Sequence, residues 1–304
     1  MRGSFIAAMA LAALAVPQVA GAWGIEGHET IALIAESYLS PAEHAEVQRL
    51  LSLPIELNPP ATMKDRATWA DAYRQSSDAA RKLTHLWHFV DLEIDSPDMT
   101  AACFGDHPLP AGTDPGWNAP NECVVQKIEE FRRVLADKSQ PDKARARALS
   151  FLLHLVGDVH QPLHAAERHD DQGGNLVYVV AGSARYGTNL HSFWDRDTVK
   201  RLGSTPEALS GTLIADISGA DRAAWQQGTS RDWAMESYQI AHDNAYRTPA
   251  QHRSCVIKEF NKPAHTESCI VLDDTYRVAA AGKVHQRLEM AGVRLAWVIS
   301  QALD

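Results

Sequence analysis

Residues 151–164 read FLLHLVGDVHQPLH and place His154 and Asp158 four apart inside an apolar run. On a helix that spacing puts both side chains on one face, one turn apart. Pro162 disfavours continued helix, so the chain turns and His164 can approach from another direction. Two imidazoles and a carboxylate in a water-poor setting make a donor set that suits zinc. The same pattern also fits a core helix with one or two hydrogen-bonded histidines, so the rest of the chain has to decide. His191 and Asp195 repeat the spacing of four, and Asp71 and His88 each stand among aromatic residues. With His28 and His164 there are eight candidate ligands. One zinc takes about four, so the number suits two or three ions.

Helices supply most of the elements that must position these groups. Apolar Ile31, Ile34, Ala35 and Tyr38 follow helical spacing over residues 29–39. Ser40 and Pro41 then stop that helix and start another, as N-cap and first helical residue. Asn58-Pro59-Pro60 predicts a turn. Residues 61–74 read as helix, and 86–91 as strand or extended chain. The Pro-, Gly-, Asp- and Asn-rich stretch 95–122 reads as a long loop. Helical periodicity returns at 124–135 and 143–158, and again at about 205–218, 230–245 and 273–302. Residues 170–175 predict a turn. Residues 176–180 alternate weakly and predict one arm of a small hairpin ending near Tyr186. No repeat, low-complexity tract or interdomain linker is visible. The expectation is a mostly α protein: one helical domain over residues 23–304, with long loops and at most a small hairpin.

Residues 1–22 have the form of a secretory signal peptide. Arg2 is followed by an uncharged apolar core over residues 5–16, and Ala20-Gly21-Ala22 has the small-x-small pattern of a cleavage site. Twelve apolar residues fall short of the ~20 that span a bilayer. Cleavage would leave 282 residues beginning at Trp23, enough for a sizeable core. Four cysteines in an exported chain suggest two disulfides, and three pairings exist. The local pairs Cys103–Cys123 and Cys255–Cys269 are preferred, because each closes a short loop-like segment. The net charge is −9. A protein that grips nucleic acid by neutralising phosphates is usually basic, so any phosphate chemistry here must rest on local charge such as bound metal.

Six motifs occur in order: WGIEGH at 23–28, WADAYR at 69–74, HFVD at 88–91, HLVGDVHQPLH at 154–164, GGN at 173–175 and NLHSFWD at 189–195. In these the sequence resembles the trinuclear-zinc nuclease family of fungal single-strand nucleases and plant type I bifunctional nucleases, in a bacterial form. The C-terminal helices match only in general character. The resemblance implies three zinc ions per chain. Asp71, His88, His154 and Asp158 would hold the first, and His164, His191 and Asp195 the second, with positions left open. The third would take the Trp23 α-amine and carbonyl, His28, and Asp158 as a bridge. An amide nitrogen cannot coordinate as an amine does, so the uncleaved precursor is expected to be poorly active.

The implied reaction is metal-assisted hydrolysis of the P–O3′ bond in RNA and single-stranded DNA, with duplex DNA left open. It leaves 5′-phosphate products, and the same geometry would dephosphorylate 3′-nucleotides. Asp71 and Asp158 would be catalytic through the metals, and Arg74 would pair with phosphoryl oxygens. Phe89 and Asp91 would form a nucleobase pocket, with Tyr186 a weaker candidate for it. Asn175 and Asn189 fit either support of ligands or turns. His85, His107, His160 and His169 read as surface residues or supports behind ligands, and Asp65 is a rival to Asp71. The nearest alternative is a zinc phospholipase C, whose family shares a trinuclear site and an N-terminal Trp. That family has Glu at the position of Asp195 and lacks the HFVD pair. A zinc-storage protein is the alternative of another class; Arg74 and the open second site argue against it. The chain is expected in the periplasm or the medium, with no membrane span after processing, and monomeric by default.

Overall fold

The structure is a computed structural model that describes residues 23–104, 122–258 and 263–304. The expected signal peptide, most of the 95–122 loop and His107 lie outside the described residues. Helix α1 (Ile25–Ser37) buries His28 on the same side as Ile31, Ile34 and Ala35. Helix α2 (Pro41–Leu51) starts at the expected cap. The Ser40 side chain accepts from the Glu43 N–H, and the Glu43 carboxylate accepts from the Ser40 N–H, a reciprocal capping box.

The single helix expected over 61–74 is instead two, α3 (Met63–Arg66) and α4 (Trp69–Gln75). The break has a use, because the Ala67 carbonyl there accepts a hydrogen bond from His154 Nδ1 at 2.7 Å. After α5 (Asp78–Thr84), His85–His88 forms a 3-10 turn and the chain then extends. Val90 N–H donates to the His164 carbonyl, Glu167 N–H to Leu92, and Ile94 N–H to Glu167. This ladder lays the 89–94 segment beside 164–167.

Helices α6 (Val124–Ala136) and α7 (Asp142–Val159) pack together at the centre. Every α7 residue from Ala148 to Val159 is buried, as expected where helices surround a segment on all sides. The short α8 (Leu190–Ser192) and α9 (Val199–Leu202) follow, then α10 (Pro206–Asp216), α11 (Gly219–Trp225) and α12 (Ser230–Ile240), which runs on as a π turn to Ala245. The long α13 (Asp274–Leu303) lies across α1, α6 and α7.

Four strands form a closed unit: β1 (Tyr178–Ala181), β2 (Tyr186–Asn189), β3 (His252–Ile257) and β4 (His265–Leu272). β1–β2 and β3–β4 are antiparallel; β1–β4 and β2–β3 are parallel. The first hairpin was expected and the second was not. Its strands mix polar and apolar residues, and closure against β1 and β2 buries Cys255, Ile257, Cys269 and Val271 with Val180. The disulfides are the two local pairs, Cys103–Cys123 and Cys255–Cys269. The first ties the Thr100–Phe104 turn to Cys123, the N-cap of α6.

Candidate metal centre

His154 and Asp158 face the same side of α7, with Nε2 and Oδ2 3.4 Å apart. Three other segments converge on that face. His88 Nδ1 lies 3.0 Å from Asp158 Oδ2, and His28 Nε2 lies 3.3 Å from Asp158 Oδ1. The two oxygens of one carboxylate thus face different histidines. Asp71 Oδ1 from α4 is 3.8 Å from both His88 Nδ1 and His154 Nε2. The His28 and His154 rings stack at 3.8 Å.

A second group forms beside it. His164 Nε2 and His191 Nε2 are 3.1 Å apart, and His191 Nε2 is 3.1 Å from Asp195 Oδ2. The partners of the other ring nitrogens settle the tautomers. His164 Nδ1 bonds the His88 carbonyl and His191 Nδ1 bonds the Gly173 carbonyl, each at 2.8 Å. A carbonyl only accepts, so both Nδ1 atoms carry the proton. In the neutral rings both Nε2 atoms then present lone pairs to each other. His154, bonded to the Ala67 carbonyl, likewise turns a bare Nε2 toward the carboxylates.

Both nitrogens of His28, Nε2 of His88 and His154, Oδ1 of Asp158 and Oδ2 of Asp195 are buried with no hydrogen-bond partner. Orphaned buried polar atoms are costly and uncommon, and here they converge. Burial, with neighbouring imidazoles, holds His28 well below its ordinary pKa, and burial with Arg74 does the same to His88. Burial lowers His154 against the pull of Asp71, and takes His164 down to about 4. For His191 the Asp195 carboxylate outweighs burial and raises it. Burial, then Asp71, pushes Asp158 well above the usual carboxylate range. Orphaned lone pairs beside clustered carboxylates are what a bound cation would satisfy, so these residues fit metal ions.

Of the remaining candidates, Arg74 contacts the centre directly. Arg74, one turn after Asp71 on α4, reaches Asp71 Oδ1 through Nη2 at 2.8 Å. On the extended segment Val90 and Leu92 are buried while Phe89 and Asp91 are half-buried on the alternate face. Burial, then Glu167, pushes the Asp91 carboxyl up to about 7. Tyr186 stands on β2, 48% exposed, with Lys258 4.2 Å and Arg185 5.5 Å from its ring. Trp23 is fully buried, and its indole donates to the Gly157 carbonyl. The Gly24 N–H donates to the Asp195 carbonyl at 3.1 Å, so residues 23 and 24 are tied to both groups.

The other named residues take these places. His160 is not at the surface: it is buried, donates to the Val156 carbonyl and accepts from Arg294. His169 is exposed and bonded to Asp95, while the His85 ring packs edge-on against Phe89. Asn175 braces its own turn and Asn189 caps α8, so neither bonds a ligand side chain. Asp65 serves the Thr62 cap of α3. One residue went unnoticed in its own motif: the Gln161 amide donates to Asp195 Oδ1 and its oxygen accepts from the Leu163 N–H. Two further histidine–carboxylate groups, Glu93/Asp95/His169 and Asp216/His285/Glu289, lie apart from the centre and are partly exposed.

A helical scaffold gathering histidines and carboxylates from five segments around one buried helix is the architecture of a metal-dependent hydrolase. The S1/P1 nuclease family model matches residues 23–304, and the chain belongs to that family, the one its motifs resemble. It is similar to nuclease P1 of Penicillium citrinum, with 29% identity over 232 residues, 71% of this chain and 78% of that protein. Nuclease PA3 of Penicillium sp is 30% identical over 211 residues, 68% of this chain and 71% of that one. Endonuclease 4 of Arabidopsis thaliana is 28% identical over 304 residues, 92% and 88%. Membership makes the chain a hydrolase that cleaves nucleic acid.

Proposed function

We propose that the chain is a zinc-dependent, sugar-non-specific endonuclease of RNA and single-stranded DNA that also acts on 3′-nucleotides and holds three zinc ions. The observation that carries this reading is the 3.1 Å approach of His164 Nε2 and His191 Nε2 beside Asp195, with Asp158 shared between His28 on one oxygen and His88 and His154 on the other. Asp71, His88, His154 and Asp158 would make the first subsite, and His164, His191 and Asp195 the second. Asp158, His28 and the α-amine and carbonyl of a processed Trp23 would make the third.

When bound, the zinc ions supply an activated water and polarise the phosphoryl group. The chain's own residues supply the rest. Arg74, held by Asp71, presents a planar donor pair suited to phosphoryl oxygens as charge develops. Phe89 offers a ring for base stacking, which tolerates any sequence, and the Asp91 carboxylate accepts from a base edge. The carbonyls of Ala67, His88 and Gly173 fix three imidazoles in the tautomer that leaves Nε2 bare.

Two disulfides and the leader-like residues 1–22 support export to an oxidising compartment. No helix among the described residues is long and apolar enough to cross a membrane. The test is elemental zinc content of chain starting at Trp23, with cleavage of RNA and single-stranded DNA before and after chelation. Near three zinc ions, chelator-sensitive cleavage and 5′-phosphate ends are expected. One zinc or none with no cleavage overturns the reading, and hydrolysis of a choline phosphodiester in place of nucleic acid would select the phospholipase.

A further inference from the structure

The turn that supports His191 is built almost wholly from left-handed backbone. His169, Asp170 and Gln172 have φ of 52°, 63° and 56°, and Gly173 and Gly174 have 59° and 80°. Non-glycine residues rarely adopt this region, and a run of them persists only where the surroundings over-determine it. Asp171 does so from the middle. Its buried Oδ1 accepts from the Arg168 N–H at 3.1 Å, the Gly174 N–H at 2.9 Å and the Tyr246 hydroxyl at 2.8 Å. Tyr246 is buried and follows directly on the π turn that ends α12. The turn is therefore pinned to a distant helix, not merely to itself.

What the turn presents is Gly173, whose carbonyl accepts a hydrogen bond from His191 Nδ1–H. There is no room to adjust on the other side, since a Cβ on Gly173 would stand 2.5 Å from the Leu163 carbonyl oxygen. The other two members of the group are held elsewhere, His164 by the His88 carbonyl and Asp195 by the Gln161 amide. The His191 ring is held at Nδ1 by the turn.

We propose that Asp171 and Tyr246 are positioning residues of the His164–His191–Asp195 group: they lock the turn so that Gly173 keeps His191 Nε2 directed at His164 and Asp195. The inference rests on the reading of that group as a zinc subsite. A support behind a ligand typically changes metal affinity 10- to 100-fold.

The test uses full-length chain starting at Trp23 and its Tyr246→Phe, Asp171→Ala and His191→Ala variants, with zinc as the probe. Zinc affinities are read by chelator competition, and melting of the metal-free chain is read separately. Tyr246→Phe removes one hydroxyl and no volume. It should leave metal-free melting within a few degrees of wild type, weaken one zinc step about 10-fold, and lower kcat at limiting zinc with KM unchanged and excess zinc restoring the rate. Asp171→Ala should shift the same step further. On a His191→Ala background Tyr246→Phe should shift nothing more, because the ring it positions is gone. Unchanged affinities, an equal shift of all three steps, or additivity with His191→Ala overturns the inference while leaving the three-zinc reading intact. Wild-type chain that takes up no zinc overturns that reading, and the inference with it.

Discussion

The indole Nε1 of Trp23 donates a hydrogen bond to the carbonyl of Gly157, 2.9 Å away and 134 positions along the chain. Gly157 lies between His154 and Asp158 on α7, and its Cα faces the His28 ring. A Cβ there would stand 2.8 Å from His28 Nδ1 and 3.3 Å from Ile31 Cδ1. Gly157→Ala should push His28 off Asp158 while keeping α7 helical, since Ala is the better helix former. The expected outcome is loss of one zinc per chain and at least a 10-fold fall in kcat, measured by elemental analysis and steady-state kinetics. Full zinc content would show that the ring has slack.

The same contact makes the identity of residue 23 as a terminus testable. One alanine left ahead of Trp23 converts the amine to an amide while leaving the indole free to reach Gly157. Zinc content should drop by about one and cleavage should fall sharply, with RNA and single-stranded DNA affected alike. Full activity of the extended chain would remove Trp23 from the ligand set.

Arg74 is held to Asp71 at 2.8 Å, so its guanidinium is pre-oriented at the edge of the cluster. Loss of one donor to developing charge typically costs about 10²–10³ in kcat. Arg74→Ala should show that loss with zinc content unchanged, and Arg74→Lys should recover only part, because a point charge lacks the fork. A change confined to KM would assign Arg74 to ground-state binding.

Phe89 and Asp91 share one face of an extended segment. Base stacking is worth ~1–3 kcal/mol, so Phe89→Ala should raise KM for dinucleotides about 5- to 150-fold with little change in kcat. Asp91→Asn should alter preference among bases instead. Equal effects of the two variants on all four bases would argue against a shared pocket.

Metal removal should destabilise the chain in a pH-dependent way. His28, His88 and His154 are held below their ordinary pKa when folded, chiefly by burial. Below about 6.5 the unfolded chain binds protons that the folded chain refuses, so stability falls as pH drops through 6.5 toward the folded values. Asp158 is raised and acts oppositely, losing stability as pH rises above its unfolded value near 3.9. With His164, lowered to about 4, four imidazoles outweigh the raised Asp158 and His191, so the Tm of chelated protein should decrease from pH 7.5 to 5.5. Zinc should raise Tm at pH 7.5 by mass action and less at pH 5.5, where protons compete for its ligands. Calorimetry at both pH values, with and without chelator, checks the sign.

Much of the centre was legible in the residues because its chemistry is local. The i, i+4 pairs His154/Asp158 and His191/Asp195 share faces by helical geometry alone, and Ser40 and Pro41 marked the start of α2. The helix expected over 61–74 broke at Ala67 because the carbonyl there meets a partner 87 positions away. His160 and Gln161 stand in one motif, yet one turns into the α13 network and the other to Asp195. Neighbours in sequence do not reveal which way a turn will send them.

Residue types and spacing alone thus determined which side chains could bind metal and that helices would carry them, while three cysteine pairings stayed open until the fold selected the two local ones. Tertiary structure decided which of Asp158's oxygens faces which histidine, that carbonyls 18 to 87 positions away fix the imidazole tautomers, and that β3 and β4 close a sheet with β1 and β2. Periodicity and capping act within a few residues, so they are written in the order of the chain. Tautomers, orphaned lone pairs and a four-stranded closure depend on groups that meet only after the chain has folded.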